Sequence, residues 1–227
     1  MSSEGKKTEK AIVDILYKSI KETGVYDLVD VDRRVQLKGR GLGKIFKNWY
    51  PFELAFEPEI DLVLVFRDYQ KTIEDALIIA VEIKYFSGES ESKRFSSGLD
   101  QTMSYGSVGF DGISLWHIFS ETIDEDTIKR YATAMQEILL IFNIPLYYFP
   151  IRRKGDGDFQ WYNGRSFSDV IPSYMATQTR IYFTNENGKN RLFSPQREQM
   201  LSMYAKSRLN DIKKRRKALK TVLKIPV

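Results

Sequence analysis

The chain contains 227 residues, of which 42% are hydrophobic and 29% are charged, with a mean hydropathy of -0.37 and a formal net charge of +5. This composition is typical of one soluble globular domain and excludes a largely disordered chain or a membrane protein. The absence of cysteine and the single histidine, His117, exclude disulfides, zinc fingers, cysteine nucleophiles and sites built from several histidines. The polar N-terminal segment and the lack of an 18-residue apolar run predict no secretory signal and no spanning helix, so we expect a cytoplasmic protein.

The positive charge is concentrated at the C-terminal end. Residues 206–227 hold nine lysines and arginines and one aspartate, a net of +8, which leaves 26 basic and 29 acidic residues, a net of -3, for residues 1–205. A basic end of this kind indicates a polyanionic partner, most simply a nucleic acid, or else a solvated basic helix.

Hydrophobic periodicity predicts the elements of the first half of the chain. Apolar positions across residues 8–20 predict an amphipathic helix that ends near Gly24. Residues 25–37 suggest a strand. Two clearer strands follow at 60–66 and 76–86, separated by a polar segment of hairpin-loop character.

The second half is predicted to continue with a Ser- and Gly-rich loop at 87–98, a short helix around 99–107, a strand at 112–119, a helix capped by Asp124 or Asp126 that runs to about Phe142, and a strand at 145–153. Turn-rich sequence then precedes a last helix. Ser194 is its predicted N-cap, Pro195 lies in its first turn, and it reaches about Lys224.

Three consecutive strands before any crossover predict an α/β sandwich around a mixed sheet, rather than a doubly wound nucleotide fold. We expect residues 1–193 to form this domain. Residues 194–227 are expected to form a basic amphipathic helix that packs on the domain or on a second subunit. Its apolar line consists of Leu201, Ala205, Ile212, Leu219 and Leu223.

Side-chain alternation gathers two acids and a lysine on one face of the predicted hairpin. Glu82 and Lys84 point to the same side of the later strand. An antiparallel register that pairs Asp61 with Glu82 also pairs Val65 with Ile78. Asp61, Glu82 and Lys84 then converge at one edge of the sheet.

These residue types suit phosphodiester hydrolysis. Two carboxylates a few ångströms apart repel each other and call for a cation, usually Mg²⁺ supported by one or two carboxylates together with waters and substrate phosphate oxygens. A neighbouring lysine can orient or deprotonate the attacking water, or offset charge in the transition state.

The segments PEID at 58–61 and VEIK at 81–84 resemble the motif of the PD-(D/E)xK nuclease superfamily. Glu59 stands in the variable place, whereas Asp61, Glu82 and Lys84 match the motif acids and lysine. The resemblance implies a restriction-endonuclease-like αβββαβ core, with Asp61 and Glu82 as Mg²⁺ ligands and Lys84 positioning or activating water. Mn²⁺ is expected to substitute for Mg²⁺.

Two further segments carry the resemblance, which spans roughly residues 5–120. Glu9, at the start of the first helix, is similar to the helix-borne acid of the archaeal Holliday junction resolvase branch, and would assist the metal site. Gln101, followed by Tyr105 one helical turn later, resembles the Gln-containing helix of many members. Gln101 would support the substrate or the lysine, and Tyr105 would contact nucleic acid.

Other residues are candidates either for contacts with nucleic acid or for packing in the core. The segment KGRGLGK at 38–44 fails as a P-loop, because Lys38 replaces the first glycine and Ile45 the Ser or Thr. It is either a mobile loop or a phosphate-contacting loop that uses Lys38, Arg40 and Lys44.

On the last helix the candidate phosphate contacts are Lys213, Lys214, Arg216 and Lys217. The residues expected to pack in or around the core, rather than to bind a ligand or stack on bases, are His117, Tyr147, Tyr148, Phe149, Trp161 and Tyr162.

The sequence therefore predicts a Mg²⁺-dependent deoxyribonuclease, with Asp61, Glu82, Lys84, Gln101 and Glu9 as its site residues. The alternative from another class is a nucleic-acid-binding module that keeps the fold without cleaving. No residue excludes RNA as the substrate, and the substrate structure and the choice between endo and exo cleavage stay open. A homodimer is plausible because symmetric duplex cutting needs two sites, and no membrane partner is expected.

Overall fold

The computed structural model of the protein describes residues 8–36, 59–68, 76–88, 95–155 and 157–225. The strands in these ranges are β1 (Leu28–Gln36), β2 (Glu59–Arg67), β3 (Ala76–Phe86), β4 (Gly112–Phe119), β5 (Leu146–Arg153), β6 (Phe159–Tyr162) and β7 (Phe167–Val170). The α-helices are α1 (Glu9–Thr23), α2 (Leu99–Val108), α3 (Glu125–Ile141), α4 (Pro172–Thr184), α5 (Pro195–Met200) and α6 (Met203–Val222). None of these helices is long and apolar enough to cross a membrane.

The strands form one mixed sheet in the order β1 to β7. Strands β1 to β3 are an antiparallel meander, β3, β4 and β5 run parallel, and β6 and β7 return antiparallel. The predicted register of the β2–β3 hairpin is confirmed, because Val65 pairs with Ile78. The carboxyl ends of the three parallel strands therefore lie together at one end of the sheet.

Helices cover both faces of this sheet. On one face, α1 and α4 bury Leu16 and Phe183 against the side of β3 that carries Ile79. On the other face, α2 and α6 bury Tyr105 and Leu219 in the same cluster as Ala80, with α3 beside them. The predicted α/β architecture, with a mixed sheet flanked by helices, is confirmed.

The elements predicted as far as residue 153 are all present, within a few residues of their predicted ends. Helix α1 stops at Gly24, whose φ of +68° lies in the left-handed region that glycine adopts at low cost. Asp124, rather than Asp126, caps α3, since its carboxylate accepts a hydrogen bond from the backbone N–H of Thr127.

The prediction of turns alone between residues 154 and 193 is wrong, because β6, β7 and α4 lie there. Each of the two strands has only four residues, too few for an alternating pattern to stand out. Helix α4 begins at Pro172 without a capping side chain, and its buried face includes Ser173 and Thr179, so it lacks both the start signal and a clearly apolar stripe.

The single last helix of the prediction is two helices. Ser194 caps α5 as predicted, but Leu201 leaves the helical conformation and Ser202 caps α6. Leu219 of the predicted apolar line is fully buried in the core. Helix α6 thus packs on the domain, which is one of the two arrangements expected.

Buried ion pairs tie the later part of the chain to the sheet. Three arginines from α4, the segment after it and α6 pair with aspartates near β1, β2 and β4: Arg180 with Asp27 (2.6 Å), Arg191 with Asp68 (2.5 Å) and Arg216 with Asp111 (2.7 Å). Removing one partner of such a pair leaves an uncompensated buried charge, at a cost of about 3–5 kcal/mol. The C-terminal third is therefore part of the same folded unit as the sheet.

Candidate active site at the open edge of strand β3

Strand β3 extends beyond its pairing with β2, and carboxylates occupy the edge that this leaves open. The paired ladder between the two strands ends at Leu62 and Val81. Further along β3, the backbone N–H of Ile83 donates to Asp61 Oδ2 at 2.8 Å, and that of Tyr85 donates to Glu9 Oε2 at 3.2 Å. Because buried backbone donors need partners, this edge holds both acids in fixed positions.

Between these two acids, Glu82 and Lys84 form a buried ion pair. Glu82 is fully buried, and its Oε1 lies 2.5 Å from Lys84 Nζ. The contact is ionic rather than an aligned hydrogen bond, because Oε1 has no hydrogen-bond partner of acceptable geometry. Lys84 Nζ also lies 3.4 Å from Glu9 Oε1. One lysine thus bridges two carboxylates, those of Glu82 and Glu9.

The carboxylates are held in an unfavourable electrostatic environment. Burial, followed by repulsion from Glu82, raises the pKa of Asp61 to about 8, and the bond from Ile83 offsets only part of this. Burial also raises the pKa of Glu82, in spite of Lys84 and Tyr105. For Lys84, burial acts to lower the pKa, but the attractions to Glu82, Glu9 and Asp61 together outweigh it, so the net shift is upward. The cluster therefore has one protonated lysine, Lys84, for three acidic side chains.

Helix α2 orients Glu82 through Tyr105. The Tyr105 hydroxyl donates to Glu82 Oε2, and Gln101 Nε2 donates to that hydroxyl at 3.0 Å and to the carbonyl of Glu59 at 3.2 Å. Gln101 thus touches the start of β2 and the residue that holds Glu82. The prediction that Tyr105 contacts nucleic acid is wrong for this conformation, because its side chain is fully buried and committed to Glu82.

Two supporting residues shape the surroundings of Lys84. Gly98 precedes α2 with a φ of +82°, and a Cβ added there would lie 2.9 Å from Lys84 Cγ. The buried His117, level with Lys84 on β4, has Nε2 2.9 Å from the Ser97 carbonyl and Nδ1 3.1 Å from the Tyr148 hydroxyl. The core role predicted for His117 is confirmed. The role of Gly98 was not predicted from the sequence, in which its only signal is its position directly before a predicted helix.

The donor atoms at this edge suit a hard cation. Mg²⁺ is usually held by one or two carboxylates, with waters and substrate oxygens as its other ligands. Asp61 and Glu82 supply such carboxylates at this edge. Over the described residues, no group of three acidic or histidine side chains is arranged to hold a metal. In this arrangement Glu9 is engaged by Lys84 and the Tyr85 N–H.

The candidate phosphate contacts divide into three groups. Lys38, Arg40 and Lys44 lie outside the described residues. Lys213, Lys214 and Lys217 are exposed on α6, although Lys213 Nζ is 2.6 Å from Glu198. The prediction for Arg216 is wrong, because its guanidinium binds both carboxylate oxygens of the buried Asp111 and the carbonyl of Ala76. The sequence could not distinguish this structural arginine from its exposed neighbours.

No protein-family model, curated protein or solved structure matches this chain. The function therefore has to be inferred from the chemistry of the site itself. That site consists of two buried or half-buried carboxylates, a bridging lysine and a third acid at a strand edge.

Proposed function

We propose that the protein is a metal-dependent nuclease that hydrolyses DNA phosphodiester bonds with a PD-(D/E)xK-type site. The observation that carries this proposal is the gathering of Asp61, Glu82 and Lys84 at the open edge of β3, with the pKa of both acids raised. Acids that share a buried site at such an electrostatic cost are typical of functional sites. The described order α1, β1, β2, β3, α2, β4 supports a restriction-endonuclease-like core as the finer description of the fold.

Asp61 and Glu82 would hold the Mg²⁺ ion, with Glu9 as an auxiliary acid. When bound, the cation would polarise the phosphate and lower the pKa of a bound water. The chain's own contribution is to fix both carboxylates before metal arrives, one through the Ile83 N–H and the other through Tyr105.

Lys84 acts as a cation rather than as the base in this proposal. Its upward pKa shift keeps the ammonium protonated at neutral pH. A fixed ammonium beside the phosphate can orient the attacking water and offset the negative charge of the transition state. The water oxygen would add to phosphorus while the bond to the leaving oxygen breaks; the water's proton would pass to solvent, and the leaving oxygen would take up a proton from solvent.

Charge outside the site supports nucleic acid as the substrate. Lys213, Lys214 and Lys217 lie on the exposed side of α6, within the C-terminal segment of net charge +8. Exposed lysines give phosphate attraction that is independent of sequence and sensitive to salt. We propose that this helix contributes such affinity.

The direct test incubates the protein with Mg²⁺, Mn²⁺ or EDTA and a panel of duplex, single-stranded, flapped and four-way-junction DNA, with single-stranded RNA alongside. We expect cleavage of at least one DNA substrate that depends on metal. Binding without cleavage in either metal would favour the non-cleaving module. Cleavage of RNA alone would keep the chemistry and change the substrate.

A further inference from the structure

A cavity of about 710 Å³ lies at the β6–β7 end of the sheet, beside the start of α4. Its lining includes Trp161 and Tyr174 as aromatic walls, and Asp158, Asn163 and Ser168 as polar groups. Trp161 packs with the cluster on the α1 side of the sheet, whereas Ala80, which shares a face with Glu82 and Lys84, belongs to the opposite cluster. The cavity is therefore separate from the site on β3.

The aromatic walls are held rigidly and remain partly open. Phe149 stacks on the Trp161 ring at 5.0 Å and 13°, which fixes that ring from the core side. Tyr174 lies 6.2 Å from Trp161 at 49° and is 40% exposed. Rigid aromatic surfaces of this kind bind flat rings by stacking, at little cost in side-chain entropy.

The polar groups of the cavity offer both donors and acceptors. Asn163 Oδ1 accepts from the N–H groups of Arg165 and Ser166, each at 3.0 Å, which orients its amide nitrogen as a donor. Within the described part of the chain, that nitrogen, the Ser168 hydroxyl and the Asp158 carboxylate make no side-chain hydrogen bond. The edge of a nucleobase presents the complementary mixture of donors and acceptors.

The strand register relates the cavity to the proposed active site. Tyr85, the neighbour of Lys84, is level with Ile118, which is level with Ile151 and then with Trp161. Three strand spacings of about 4.8 Å separate β3 from β6, or roughly 15 Å across the sheet. Because the cavity and Lys84 lie on opposite faces, a nucleic acid strand that joins them also has to pass around the sheet, so at about 3.4 Å per stacked nucleotide the path takes more than about five nucleotides.

We infer that this cavity binds one nucleobase of a single-stranded segment of the substrate that is cut at β3. The inference rests on the proposed nuclease function and narrows its substrate to nucleic acid with unpaired bases. A paired base is stacked inside its duplex and cannot enter such a cavity without being flipped out.

The test measures binding without cleavage. The full chain in EDTA is titrated with a fluorescein-labelled dT octamer and with an eight-base-pair duplex. We expect tighter binding of the single strand, and a loss of about tenfold in that affinity for Tyr174→Ala, because stacking on one aromatic ring supports an effect of that order. Ser168→Trp, which fills the cavity, should cause a similar loss. Tyr26→Ala is the matched control, since Tyr26 is 75% exposed before β1 and does not line the cavity.

The outcomes separate this inference from the proposed function. If the wild type cuts DNA but both cavity variants bind the octamer as the wild type does, the cavity inference is wrong and the nuclease proposal stands. If the wild type never cuts but both variants lose octamer binding, the cavity inference stands and the nuclease proposal is wrong. Quenching of tryptophan fluorescence by oligosaccharides but not by nucleoside monophosphates, in the wild type but not in Ser168→Trp or Tyr174→Ala, would also overturn the inference.

Discussion

The substitution Asp61→Asn should stabilise the metal-free protein at neutral and alkaline pH. The Asp61 carboxyl is ionised above pH 4 in the unfolded chain, but its pKa rises to about 8 in the fold. The folded state therefore binds more protons than the unfolded state between about pH 4 and pH 8. Over this window the free energy of unfolding of the wild type falls as pH rises. Asparagine carries no charge in either state, and its Oδ1 can still accept the Ile83 N–H, so the variant escapes this loss.

The magnitude follows from the size of the shift. A difference of about four pKa units corresponds to about 6 kcal/mol when the site is rigid and dry. Asp61 keeps some solvent contact, so water screens part of the repulsion and we expect about half of this figure, ~3 kcal/mol at pH 8. The stabilisation should be near zero at pH 4 and should grow steadily towards pH 8.

The assay is urea unfolding in EDTA at several pH values, followed through tryptophan fluorescence, to which the buried Trp116 contributes. Asp169→Asn is the matched control, because Asp169 is an exposed strand aspartate on β7. Its stability should follow the wild-type pH profile. Parallel profiles for Asp61→Asn and the wild type, or a less stable variant at pH 8, would refute the reasoning about repulsion and burial.

Further predictions concern metal, geometry and charge. Mg²⁺ should raise the Tm of the wild type at pH 7.5, and Asp61→Asn should lose most of that shift, as a thermal melt with and without metal will show. Tyr105→Phe should lower the free energy of unfolding by about 1–3 kcal/mol, because it removes the hydrogen-bond donor to the buried Glu82. It should also move the pH profile of cleavage to higher pH, because the lost hydrogen bond lowers the pKa of Glu82. Gly98→Ala should lower the free energy of unfolding by about 1–2 kcal/mol because of the positive φ of this residue, and should slow cleavage at least tenfold because the added Cβ displaces Lys84. The control Gly164→Ala, at an open turn of positive φ, should lower the free energy of unfolding without slowing cleavage. Changing Lys213, Lys214 and Lys217 to Glu should flatten the slope of log affinity against log salt by about 3 units in a DNA titration, and an unchanged slope would assign the helix to assembly alone.

The strands and helices that position the site could be predicted because their patterns are local. Strand β3 is apolar on both faces and interrupted only by Glu82 and Lys84, so its ends and the facing of those two residues follow from alternation. The register between β2 and β3 could be predicted because the two strands form an antiparallel hairpin. The result is that Asp61, Glu82 and Lys84 lie in one cluster.

The contacts across the fold could not be predicted in the same way. Arg216 and Lys217 are neighbours in a basic run, yet only Arg216 meets a buried aspartate, because the partner comes from a turn before β4 that is distant in sequence. The inward direction of Tyr105 has a comparable cause, since α2 packs on the face of the sheet that carries Glu82 and places the Tyr105 hydroxyl against that carboxylate. Whether such a side chain is buried or exposed depends on how its helix packs on the sheet, and periodicity within one element does not specify that packing.

The most direct test of the central claim is single-turnover cleavage, with Mg²⁺, of the DNA substrate that the wild type cuts best. Asp61→Asn, Glu82→Gln and Lys84→Ala should each lose cleavage by at least a hundredfold while keeping wild-type affinity for that DNA. The controls Asp30→Asn and Lys129→Ala, which alter residues on the outside of β1 and α3 away from the site, should cut at the wild-type rate. Near-normal cleavage by any of the three site variants would contradict the role proposed for that residue, and near-normal cleavage by all three would place the active site elsewhere.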